Sequence, residues 1–83
     1  MRGLLEVVKS VFPDAEVPAG ALEIGSVDGW DSVGNFNLLL AIEEEYGVQF
    51  SVEDVGRLRS LSDMATALIA LGVEVEKIGK THI

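Results

Sequence analysis

Residues 29–47 read "GWDSVGNFNLLLAIEEEYG", and the fold turns on how this stretch is arranged. Placed at 100° steps with Val33 at zero, Leu38, Leu39, Ile42 and Tyr46 fall between about 140° and 240°. Val33, Phe36 and Leu40 fall on a second arc between about 300° and 360°, with Glu44 just beyond it. The spacing predicts a helix from Ser32 to Tyr46, stopped by Gly47. One apolar arc suffices to seat a surface helix on its core. A second arc means either a helix buried all round or a helix with a stripe left for a partner. Asn35, Asn37 and the run Glu43–Glu45 would be costly to bury. The spacing therefore points to Leu38, Ile42 and Tyr46 as the core face. Val33, Phe36 and Leu40 then form a partly exposed stripe rimmed by acids. Carboxylates in the last turn oppose the helix dipole by about 0.3–1 kcal/mol each, which favours electrostatic docking through Glu43 and Glu44.

Outward from this helix the chain reads as three more. Leu4, Leu5, Val8, Val11 and Phe12 keep helical spacing up to Pro13, and the residue before a proline avoids the helical region. Residues 13–31 hold both prolines and no sustained period, so they form a long loop. Loops of that length in a compact domain tend to be functional. "FSVEDVGRL" gives a short third helix capped by Ser51, and "SLSDMATALIALG" a fourth capped by Ser60 with Asp63 three residues on. The expected class is all-α: a small four-helix bundle with a long first loop and a short helix 3. Residues 1–72 form its one domain, and residues 73–83 read as a frayed or flexible tail.

Composition narrows the chemistry. The 83 residues contain no cysteine, which excludes disulfides, thiolate metal sites and cysteine nucleophiles. The same absence favours an intracellular, cytoplasmic setting. No apolar run approaches the roughly 20 residues needed to cross a bilayer. The formal charge is −8, and residues 1–56 carry 11 acidic against 2 basic side chains. Such a chain repels nucleic acid and anionic lipid and is steered toward basic protein surfaces. His82 is the sole histidine and lies next to the C-terminus, so a serine hydrolase lacks its base. The glycines at 25, 29 and 34 are followed by no Gly-Lys-Ser/Thr, so no phosphate loop is formed. Asp28 and Asp31 lack calcium-loop spacing. No enzyme activity and no metal are expected.

Ser32 then has two readings: a plain N-cap, or the attachment point of a group that the amino acids cannot supply. "WDSVGNFNLLLAIEEEYGVQFS" resembles the modification site and second helix of acyl carrier proteins. In these an Asp-Ser-Leu leads an apolar helix ending in a Glu-rich turn and an aromatic residue. Asp31, Ser32 and Val33 match the first element, and Leu38, Ile42, the three glutamates and Tyr46 the rest. The likeness extends over residues 1–72. It implies that Ser32 accepts 4'-phosphopantetheine from coenzyme A through a phosphopantetheinyl transferase. It also implies that Asp31 positions the site and that acyl groups ride on the arm as thioesters. Acyl-activating and acyl-transfer enzymes would visit the carrier, which favours a monomer. Val33 replaces the usual leucine, Gly34, Asn35 and Asn37 stand where fatty-acid carriers tend to have acids, and Phe36 is larger than usual. The resemblance therefore implies a stand-alone, specialised carrier for a dedicated lipid, polysaccharide or secondary-metabolite pathway. Two alternatives stay open: a peptidyl, aminoacyl or D-alanyl carrier, and an unmodified helical adaptor. Ala41, Ala65, Ala67 and Ala70 allow close helix packing or, less simply, room for an acyl chain.

Overall fold

The computed structural model describes residues 2–18, 20 and 22–79. Its helices are α1 (Leu4–Val11), α2 (Ser32–Tyr46), α3 (Val52–Arg57), α4 (Leu61–Ala70) and α5 (Val75–Ile78). No strand forms among the described residues. A single antiparallel bridge between Glu23 and Ser60 ties the long loop to the α3–α4 connection. The all-helical class therefore holds among the described residues, with five helices there in place of the expected four.

Local signals set the helix limits. α1 ends one residue before Phe12, whose N–H closes on the Val8 carbonyl, and Pro13 follows. Ser51 and Ser60 cap α3 and α4, each accepting from the N–H three residues on at 3.1 Å. Gly47 terminates α2 in the left-handed region at φ 65°, where a Cβ would be strained.

The core is built from one face of each longer helix. Leu4, Val7 and Val8 of α1 meet Leu38, Leu39, Ile42 and Tyr46 of α2, with Leu61, Met64 and Leu68 from α4. α2 and α1 make the most extensive helix–helix contact among the described residues. The long loop contributes Leu22, Val27 and Trp30 to the same core. Trp30 stacks on Phe12 with ring centroids 5.9 Å apart. Backbone bonds from Ile24 N–H to the Arg59 carbonyl and from Leu61 N–H to the Leu22 carbonyl hold the loop against the α3–α4 connection. The segment preceding Ser32 is thus anchored on both sides.

Residues 73–79 depart from the expected tail. Val75–Ile78 make a turn of helix, and Ile78 is buried in the core at 2% exposure. The Tyr46 hydroxyl lies 2.7 Å from the Arg2 carbonyl and 2.9 Å from the Lys77 carbonyl. Its one proton serves either acceptor, so it joins the two ends of the described chain. The alternation in "VEVEKI" gave no sign of this, because a single buried side chain leaves no period to read.

Candidate functional site

At the start of α2 the capping residue is Asp31, not Ser32. The Asp31 carboxylate accepts the Gly34 N–H at 2.8 Å, and the Asp31 carbonyl accepts the Asn35 N–H at 2.7 Å. Ser32 is the first helical residue, exposed, and none of the described residues hydrogen-bonds its hydroxyl. The plain N-cap reading of Ser32 is therefore overturned, since a neighbour already does that work. Ser26, Ser51 and Ser60 have their hydroxyls engaged in turns or caps. Ser10 and Ser62, exposed within α1 and α4, share the unbonded hydroxyl among the described residues but not the loop–helix junction behind an Asp cap.

Gly34 fixes how close the helix start approaches the loop. A Cβ there would sit 2.0 Å from the Gly29 carbonyl oxygen and 3.0 Å from the Phe12 ring. Only glycine allows this approach, so its place in the sequence is a packing demand. Asn35, expected at the surface, is buried at 7% exposure. Its Oδ1 accepts the Trp30 indole N–H at 2.8 Å, and its Nδ2 donates to the Leu58 carbonyl at 2.9 Å. The amide's burial is balanced by these bonds, and they lock the loop, α2 and the end of α3 together within one helical turn of Ser32. Asn35 thus occupies a structural position, not a substituted docking acid.

The two arcs of α2 part as the spacing indicates. Leu38, Leu39, Ile42 and Tyr46 are buried, whereas Val33, Phe36 and Leu40 are 70%, 51% and 47% exposed. This excludes the helix buried all round. The three glutamates divide by task. Glu43 accepts the Phe50 N–H at 2.7 Å, which ties the α2–α3 connection to α2. Glu45 takes the Arg2 Nε at 2.7 Å and the Arg2 backbone N–H at 3.1 Å. The Arg2 side-chain bond, then its backbone bond, hold the Glu45 carboxyl below its ordinary value. Glu44 alone is exposed and without a hydrogen bond or ion pair among the described residues. Of the two acids expected on the docking rim, Glu44 is free for it, and Glu43 is already committed to the fold.

Beside Ser32 a cleft of about 200 Å³ runs between α2 and α3. Asn35, Phe36 and Leu39 form one wall, Val55 and Gly56 the other, with Ile24 and Arg59 completing it. None of the four alanines suspected of leaving room for an acyl chain lines it. Sequence reading missed Arg59, because no local pattern connects a residue after α3 with one at the start of α2. His82 lies outside the described residues. Among the described residues no group of three or more His, Asp or Glu side chains is gathered to hold a metal, and no helix is long and apolar enough to cross a membrane. Comparison of the chain with protein-family models, curated proteins and solved structures returns no match.

Proposed function

We propose that the chain is a carrier protein bearing 4'-phosphopantetheine on Ser32. The observation that carries this reading is an exposed, unbonded hydroxyl at a loop–helix junction that Asp31, Gly34 and Asn35 hold rigid around it. A rigid origin with an open approach suits both a modifying enzyme and an arm that must reach several partners. In the modification, the Ser32 O–H bond breaks and its oxygen bonds to the pantetheine-side phosphorus of coenzyme A. Adenosine bisphosphate leaves, and the proton passes to a base of the transferase or to water. The attached arm supplies a terminal thiol, which this cysteine-free chain lacks, for acyl groups held as thioesters.

The chain itself performs no bond-making on the cargo in this reading. Its own residues position and present. The Val33–Phe36–Leu40 stripe beside Ser32, with Glu44 at its far end, forms the surface that acyl-activating and acyl-transfer enzymes with basic docking faces would meet. The departures at Val33, Asn37 and Phe36 fit a specialised carrier, of lipid, polysaccharide or secondary-metabolite assembly, better than a housekeeping one. An aminoacyl or D-alanyl cargo fits the same geometry.

Incubation with coenzyme A and a phosphopantetheinyl transferase, followed by intact-mass measurement, tests the reading. One phosphopantetheinyl group should add to the wild type and none to Ser32→Ala. A second reading, an unmodified adaptor docking through the same stripe, is favoured by the stripe's exposure alone. It predicts no adduct, and partner binding indifferent to Ser32→Ala.

A further inference from the structure

We infer that Arg59 is the counter-ion of the group carried on Ser32: its guanidinium pairs with the phosphodiester and lays the root of the arm along the α2–α3 cleft. This rests on the carrier reading and deepens it. Ser32 and Arg59 line the same cleft, although 27 positions separate them in the chain. The Arg59 backbone is pinned on both sides. Its carbonyl accepts the Ile24 N–H at 2.9 Å, and its N–H donates to the Asp63 carboxylate at 3.3 Å. Leu58 before it is buried in the core and Ser60 after it caps α4. A fixed backbone thus carries a guanidinium that forms no ion pair and no hydrogen bond among the described residues. Asp63 accepts the Arg59 backbone N–H and forms no ion pair with the guanidinium among the described residues.

The charges around Ser32 make this placement matter. Asp31 adjoins it and Asp28 precedes it by four residues, both exposed. A phosphodiester brings one more negative charge to a chain already at −8. Repulsion from Asp31 turns it away from the loop, and Arg59 is the one cation on the cleft wall. Arginine's planar fork of donors matches two phosphate oxygens at once, which a point charge does not. Gly56 keeps the path beside Arg59 clear. A Cβ there would meet no atom within 4 Å, so packing does not demand glycine in α3, yet its absent side chain leaves that wall of the cleft low.

Arg59 is a positioning residue here, and the test follows the phosphate itself. Phosphopantetheinylated wild type, Arg59→Gln and Arg59→Lys are compared by ³¹P NMR, with the ¹H–¹⁵N spectrum of each confirming an unchanged fold. In the wild type the phosphorus resonance should be displaced from that of the same group on the urea-unfolded protein. The Arg59 Nε–H should shift on modification, and added salt should reduce both displacements. Arg59→Gln should return the phosphorus to the unfolded position, and Arg59→Lys should restore part of the displacement. A phosphorus resonance identical in wild type and Arg59→Gln overturns the inference while leaving the carrier reading intact. Failure of the wild type to accept the group at all overturns the carrier reading, and the inference with it.

Discussion

Asp31 and Gly34 show how much of a site is settled by single residues. Asp31 has a structural duty, capping α2, that is separable from any duty toward a modifying enzyme. Asp31→Ala should destabilise the fold by about 1 kcal/mol, whereas Asp31→Asn, an equally good cap, should leave stability unchanged. Urea denaturation of both variants checks this. A loss of modification rate in Asp31→Asn, whose cap is kept, then reports on the charge alone. Gly34→Ala should be worse than an ordinary helix substitution. Alanine is normally the better helix former, but here its methyl would collide with the Gly29 carbonyl. A loss of about 1–3 kcal/mol is expected from forcing the loop off the helix, and wild-type stability in that variant would contradict the close approach. The presence of Gly34 was legible in the sequence; its reason was not, because the collision is with backbone five residues earlier in a loop of no fixed period.

At the scale of elements, α2 was the most readable part of the chain. Its 3.6-residue period alone separates Leu38, Ile42 and Tyr46 from Val33, Phe36 and Leu40, and their burial follows that division. The caps at Ser51 and Ser60 were legible for the same reason: their signals lie within one turn of sequence. Asn35 was not, because a polar side chain reads as exposed until its two distant partners, Trp30 and Leu58, are in place. The arcs also make a prediction about function. Phe36→Asp should change stability by no more than about 0.5 kcal/mol, since the residue is already half exposed. In the carrier reading it should nevertheless weaken transfer from a docked partner enzyme, seen as a raised KM for the carrier. Loss of thermal stability comparable to a core substitution would show that Phe36 belongs to the fold and not to the docking stripe.

At the scale of the whole fold, the closure of the two ends of the described chain is the feature that sequence periodicity could not supply. Ile78 supplies one buried side chain from a single turn of helix, and Tyr46 bridges Arg2 and Lys77 through one hydroxyl. Ile78→Ala should cost about 2–5 kcal/mol as a core truncation, measured by chemical denaturation; a negligible change would make residues 73–79 an appendage after all. Tyr46→Phe should cost about 1 kcal/mol near neutral pH by leaving a carbonyl without its donor. Burial, then the Glu45 and Glu6 charges, raise the Tyr46 hydroxyl above its ordinary value of 10.0. A raised value in the folded state gives a contribution fully present below pH 10.0 and lost as pH rises through the folded value. The stability gap between wild type and Tyr46→Phe should therefore narrow above that pH. At the acid end the sign reverses. Glu45 is held below its ordinary value of 4.5 by Arg2, so its contribution is present above that pH and fades as pH falls through the lower folded value.

Where a phosphopantetheinyl group goes when the folded chain meets coenzyme A and a transferase decides between a carrier and an unmodified bundle. Tandem mass spectrometry of the digested product locates it. The added mass is predicted on Ser32, with Ser26, Ser51 and Ser60 bare because their hydroxyls are already engaged. The exposed Ser10 and Ser62 should also stay bare, because they lie within α1 and α4 and not at the Asp31-capped start of α2. Peptides of the fully folded protein that all return unmodified, or an adduct on any other serine, would contradict it.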